Sequence, residues 1–88
     1  MELEIFVTPG CGRCVFFRNL LAEAGLSGRE VDVSAHLGAL RRLMRLGGRP
    51  LVPAVALGGP GAERFWPAHT PELAREAVAA LAEEMSRG

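Results

Sequence analysis

Cys11 and Cys14 stand three positions apart in the stretch TPGCGRC and are the only cysteines among 88 residues. Several chemistries suit that spacing. Two such thiols can cycle between dithiol and disulfide. As thiolates they can supply half of a zinc site or of an iron–sulfur cluster shared by two chains, or hold Cu(I). They can also be two small hydrophobes with no reaction to perform, in a domain that serves only as an interaction module. A structural bridge is the weakest reading, because closing so short a loop constrains the unfolded chain very little.

The flanking sequence favours redox exchange. Residues 2–7, ELEIFV, alternate polar and apolar before turning fully apolar, and read as a strand entering a core. From Cys14 the period changes: Phe17, Leu20, Leu21 and Ala24 fall at helical spacing, with Gly25 as C-cap and apolar Leu26 beyond it. The pair therefore falls where a strand hands over to a helix. A thiol at a helix N-terminus meets free N–H groups and the positive end of the dipole, which lowers its pKa and favours the nucleophilic thiolate. That position belongs to Cys11. Arg13 adds a positive charge, and Gly10 and Gly12 let another chain approach. Cys14, one turn further in, is expected to be more buried and less ionised. In exchange, the exposed thiolate attacks a disulfide and the neighbouring thiol resolves the mixed disulfide. A Cys-x-x-Cys beside a β-α-β pattern is the sequence sign of a thioredoxin-like redox motif.

The elements that must hold this pair are readable along the chain. Ser27-Gly28 turns it, and REVDV (29–33) alternates like a short strand. Ser34 is placed to cap a second helix with Leu37, Leu40, Leu43 and Met44 on one face, ended by Gly47-Gly48. Pro53 should begin a strand, since proline cannot donate to an interior ladder. Gly58 to Gly61 reads as a turn and AERFW (62–66) as a returning strand. Thr70-Pro71-Glu72 starts the last helix with a cap, a proline at the first helical position and an acid favoured by the dipole. Its stripe is Ala74, Ala77, Val78, Leu81 and Met85. The order β-α-β-α-β-β-α gives a parallel pair through a right-handed crossover, plus a hairpin. The expected fold class is α/β, a four-stranded mixed sheet flanked by three helices, in one domain over residues 1–88.

The chain resembles glutaredoxins and the small glutaredoxin-like redoxins over essentially its whole length, through IFVTPGCGRC, LVPAV at 51–55 and a final helix after a short hairpin. The resemblance implies a thioredoxin-like fold and thiol–disulfide oxidoreductase activity, with Cys11 as nucleophile and Cys14 as resolving thiol. It implies that Pro53 is cis and faces the cysteines, and that Val52 offers its backbone to the bound substrate. Departures from the family pattern mark the remaining substrate positions. Thr8 stands where glutaredoxins usually carry a lysine for glutathione, and Gly12-Arg13 where they often have Pro-Tyr. PAHTPEL, containing Thr70, replaces the Gly-Gly and Asp that grip the glutathione amine. These departures argue against glutathione as reductant. Trp66, Pro71 and Glu72 match the redoxins that serve ribonucleotide reductase and take electrons from thioredoxin reductase. The implied partners are a disulfide-containing target protein and a reductase or glutathione, with no bound cofactor and no metal.

All ten basic residues are arginine, balanced by ten acids, so the formal net charge is zero. Nucleic-acid binding, which needs excess positive charge, is not expected. Neither is a membrane span, because the longest apolar run, LVPAVAL, falls well short of the ~20 residues required. The N-terminus shows no signal-peptide pattern, and the expected location is the cytoplasm, with a monomer as the default state. Arg41, Arg42, Arg45 and Arg49 form one basic stretch; the first three suit an exposed helical face, and Arg49 can meet an acidic partner or a glutathione carboxylate. His36 and His69 read as surface residues, and Phe16 and Phe17 as core.

Overall fold

β1 (Leu3–Val7) is the strand on which the others assemble. The computed structural model describes residues 2–58 and 63–87. After β1 come α1 (Gly12–Glu23), β2 (Arg29–Asp32), α2 (Leu37–Gly47), β3 (Ala54–Leu57), β4 (Arg64–Pro67) and α3 (Pro71–Arg87). The sheet order is β2-β1-β3-β4. β2 runs parallel to β1, with Phe6 opposite Val31; β3 runs antiparallel, with Phe6 opposite Ala54; β4 pairs antiparallel to β3. This is the expected mixed sheet and element order. The turn assigned to Gly58–Gly61 lies mostly outside the described residues, as does Ala62.

Alternation along β1 divides the two faces. Glu4 and Phe6 face α2, whose Arg42 reaches the Glu4 carboxylate and lies 5.8 Å from the Phe6 ring centroid. Leu3, Ile5 and Val7 point the other way, where α1 and α3 pack against each other and bury Phe17, Leu21, Ala74, Ala77 and Leu81. The amphipathic stripe of α3 is thus buried as its spacing predicts, with Val78 and Met85 at its margin. Phe17 is fully buried, whereas Phe16 lies at the core margin with the Arg75 guanidinium 5.3 Å from its ring centroid.

Local signals set the helix ends. Gly25 adopts φ 72°, and the Gly25 and Leu26 N–H groups donate to Ala22 and Leu21 at 3.0 and 2.9 Å. This closes α1 with a two-bond glycine cap. Thr70 Oγ1 accepts from the Leu73 N–H at 3.1 Å and caps α3, as expected. Ser34 does not cap α2. Its N–H and hydroxyl both donate to Asp32 Oδ1, at 2.9 and 2.6 Å, and the cap position falls to His36, whose side chain makes no capping bond. The nearer carboxylate outcompetes the helix terminus for the serine. α2 also buries a narrower face than expected: Leu43 is fully buried and Leu40 partly, but Leu37 and Met44 are 60% and 42% exposed.

α2 comes close to the sheet at Gly47, where an added Cβ would lie 2.7 Å from Phe65 Cζ. At the end of the sheet away from Cys11, Arg42 bridges Glu4 and Glu63, Arg29 also reaches Glu4, and Arg45 reaches Glu63. On the opposite face Arg18 of α1 binds Glu30 of β2 through Nε and Nη2, at 2.6 and 2.9 Å. The outer edge of β4 is interrupted. Ala68 N–H donates to Pro53 O at 3.0 Å, so alternation turns the backbone nitrogens of Phe65 and Pro67 outward, and Pro67 has no hydrogen to offer.

Two predictions follow from this packing. Gly47→Ala should cost about 1–3 kcal/mol, because the methyl must displace the Phe65 ring or lift α2. Urea unfolding measures it, and a loss below about 0.5 kcal/mol would show that the ring moves aside freely. Hydrogen bonds from Arg18 and Arg42 hold the Glu30 and Glu63 carboxyls below their ordinary range, and those from Ser34 do the same for Asp32. A depressed carboxyl contributes stability that is present above its unfolded value and lost as pH falls through its folded value. Thermal midpoints of the oxidised protein should therefore stay level from neutral pH down to about 5 and decline steadily below about pH 4. Midpoints unchanged at pH 3 would contradict the assignment.

Candidate functional site

Three segments converge at one end of the sheet because of the strand registers. Phe6 lies opposite Ala54, so the chain running from Val7 toward Cys11 and the chain entering β3 through Val52-Pro53 emerge together. Ala54 lies opposite Pro67, and the Ala68–Pro53 hydrogen bond extends that pairing, bringing the start of α3 to the same end. The redox pair, the proline strand and the α3 cap thus lie at the same end of the sheet although they are far apart in sequence.

Cys11 is the N-cap of α1, with extended backbone (φ −93°, ψ 108°), and its Sγ accepts the Cys14 N–H at 3.0 Å. The sulfur occupies the place that a serine or aspartate oxygen takes in an ordinary cap, against the otherwise unsatisfied donors of the first turn. The two residues form a disulfide across a Cα–Cα distance of 5.2 Å. Cys11 is partly exposed and Cys14 is 1% exposed, the asymmetry expected from their places on the helix. Gly12 and Arg13, in the first turn, are exposed.

A groove of about 300 Å³ runs over the pair, lined among others by Thr8, Gly10, Cys11, Gly12, Cys14 and Val15. Gly10 holds φ 69°, a left-handed conformation that lets the chain turn tightly between Pro9 and Cys11. The Val52-Pro53 bond is cis, and both residues are buried at the foot of β3. Arg49 is not part of the cysteine groove. It lines a separate one of about 390 Å³ with Leu46, Gly47, Leu51, Phe65, Pro67 and His69. Thr70 stands at the same end of the sheet, with its hydroxyl engaged by the α3 cap.

Sequence reasoning missed Val15 and Arg18, both in the cysteine groove. Val15 is 49% exposed, which is unusual for its type and detectable only from the fold. Arg18 had a local signal, since it follows Cys14 by four residues and so shares its helix face. Trp66 is half-buried, with the Arg64 guanidinium 5.3 Å from its ring centroid. No group of three or more His, Cys, Asp or Glu side chains suited to a metal occurs among the described residues, and no described helix is long and apolar enough to cross a membrane.

Comparison with known proteins agrees with this geometry. The glutaredoxin family model matches residues 3–60, more than half of the chain. No curated protein matches it in sequence. Among solved structures, the glutaredoxin-like protein NrdH-redoxin from Escherichia coli, reported to have a thioredoxin-like activity profile, superposes with a TM-score of 0.65. It is 20% identical, and the match covers 86% of this chain and 93% of that one. A variant of the thioredoxin-like protein BC3987 gives 0.68 at 21% identity, covering 85% and 96%. Glutaredoxin from Brucella melitensis gives 0.57 at 21% identity, covering 96% and 80%. At these identities the structures share the fold, while the family match covers the strand, the cysteine pair, α1, α2 and the proline strand. The chain therefore belongs to the glutaredoxin family of thiol–disulfide oxidoreductases.

Proposed function

We propose that the protein is a cytoplasmic dithiol redoxin that reduces disulfides in other proteins and draws its electrons from a thioredoxin reductase rather than from glutathione. The observation that carries the reading is the contact at the start of α1. The Cys11 sulfur is the helix cap, accepting the Cys14 N–H, while Cys14 is buried directly beneath it. When the bridge is reduced, the same donor and the helix dipole favour the Cys11 thiolate, and the exposed side of Cys11 meets the target.

The exchange then runs in two displacements. Cys11 Sγ attacks one sulfur of the target disulfide; the S–S bond breaks, its electron pair leaves on the second sulfur, and that thiolate takes a proton. Cys14 loses its proton and attacks Cys11 Sγ, releasing the remaining target thiolate, which is protonated in turn. The protein is left as the Cys11–Cys14 disulfide and the target as a dithiol. Two electrons and two protons have moved from one to the other. A reductase returns the pair to the dithiol form.

Pro53 and Val52 support the target in this reading. Their segment arrives at the cysteine end of the sheet, where the Val52 backbone can run alongside the attacked chain. Thr8, Gly12 and Arg13 border the approach. Two features disfavour glutathione. Thr8 offers no cation at the position before the cysteines, and Thr70, which caps α3 by accepting the Leu73 N–H, supplies no carboxylate for the glutathione amine.

Cys11→Ser should abolish turnover, and Cys14→Ser should stop after the first displacement and accumulate a mixed disulfide visible by mass spectrometry. If Cys11→Ser keeps its disulfide-reductase rate, the assignment of roles fails. With wild-type protein, NADPH and thioredoxin reductase should sustain turnover at least about tenfold faster than NADPH, glutathione and glutathione reductase, a discrimination of about 1.4 kcal/mol. The reverse ranking would assign glutathione as donor.

A further inference from the structure

The large apolar side chains left exposed among the described residues are Val15, Leu37 and Met44. Their positions are not scattered. Val15 lines the cysteine groove. Leu37 and Met44 are seven residues apart on α2, and so share one flank of that helix, with Leu40 between them. Arg42 occupies the opposite flank and reaches back to Glu4 and Glu63, and Arg45 also reaches Glu63, toward the end of the sheet away from Cys11. The Leu37–Leu40–Met44 flank must therefore face the cysteine end. An isolated exposed leucine needs no explanation, but apolar residues in a row beside a reaction site mark a contact surface.

The charges sort in the same way. Arg18, Arg29, Arg42, Arg45, Arg64 and Arg87 each form an ion pair, and Arg75 lies over the Phe16 ring. Arg13, Arg41 and Arg49 have neither kind of partner among the described residues. Arg41 and Arg49 border the apolar flank of α2, whereas Arg13 belongs to α1 on the other face of the sheet. Arg13 is in the first turn beside Cys11, and Arg41 follows Leu37 by four residues on α2. Arg49 lies just past the end of that helix, in the groove with Leu46 and Leu51. Asp32 keeps its negative charge near the start of α2, since a serine hydrogen bond does not neutralise it, and Glu72 adds another at the start of α3, so the unpaired positive charge is local to Arg41 and Arg49. Although the net charge of the chain is zero, Arg41 and Arg49 leave unpaired positive charge beside the apolar flank of α2.

We propose that the Leu37–Met44 flank of α2, with Arg41 and Arg49, is the surface on which target proteins dock, and that it selects disulfides flanked by an apolar residue and a carboxylate. The proposal rests on the redoxin reading above and names the partner chemistry of that site. An apolar residue of the target covers Leu37 and Met44, while its carboxylate meets the unpaired guanidinium groups and guides the approach. The attacked sulfur then comes to Cys11 past Val15.

Three synthetic disulfide peptides, identical except for flanking Leu-Glu, Leu-Lys or Ser-Ser, test this against the fully reduced protein, with bis(2-hydroxyethyl) disulfide as a small probe that cannot dock. The Leu-Glu peptide should react about tenfold faster than either of the others. Leu37→Ser/Met44→Ser changes only exposed positions and should remove about tenfold of the rate with Leu-Glu, leaving the small disulfide within about twofold. Arg41→Glu should shift the preference toward Leu-Lys. Equal rates for the three peptides, or an equal loss with peptide and small disulfide, would overturn the docking surface while leaving the redox reading intact. Failure of the wild-type dithiol to reduce even the small disulfide would overturn the redox reading, and the docking surface with it.

Discussion

The register of β1 against β3 is the constraint on which the rest of the molecule depends. With Phe6 fixed opposite Ala54, the strand that leads into Cys11 and the strand that begins at Pro53 must leave the sheet at the same end. A slip of one residue would do more than shift the site. It would send Leu3, Ile5 and Val7 to the α2 face and Glu4 into the core between α1 and α3. The hydrophobic pattern therefore helps to secure the position of the sulfur, since a one-residue slip buries a carboxylate among Phe17, Leu21 and Leu81.

Charge neutrality conceals a division of labour among the arginines. Those far from the cysteines close ion pairs over the polar end of the α2 face, where Glu4 would otherwise be half-buried without a partner. Fully exposed pairs are worth little individually, about 0–1 kcal/mol, but these are part-buried, and Arg42 holds two carboxylates, from β1 and the segment before β4. It acts as a clamp between strands that are not adjacent in the sheet. Arg13, Arg41 and Arg49 have no such partner among the described residues, which leaves their charge at the surface, whereas Arg18, in the cysteine groove, is paired with Glu30.

Most of the fold was legible because its signals are local. Gly25 terminates α1, Thr70 caps α3 and Pro53 opens β3, and each depends on residues within one turn of itself. The cysteine pair was legible for the same reason, since a helix starting beside Cys11 determines the environment of its sulfur. What was not legible depends on competition or on tertiary placement. Ser34 has the right identity for a cap, but Asp32 lies two residues away and takes both of its donors. Leu37 and Met44 have the spacing of a buried stripe, yet only the seating of α2 over Phe65 decides that the stripe is centred on Leu43. Val15 lies outside the core for a similar reason: its exposure is set by where α1 docks, which its own neighbours do not encode. The separation of Arg49 from the cysteine groove likewise emerges only when the loop after α2 is placed.

The outer edges of the sheet set how this protein can associate with anything. β2 presents four residues bearing Arg29, Glu30 and Asp32, and β4 presents Pro67 where an incoming strand would seek a donor. The proline interrupts a ladder along β4, and the charges along β2 disfavour one there. Complexes formed without extending the sheet rest on side chains and short backbone contacts, which let go one at a time, whereas a ladder of main-chain bonds tends to release as a unit. For a thiol–disulfide oxidoreductase that passes electrons on to a disulfide substrate, easy parting counts as much as recognition.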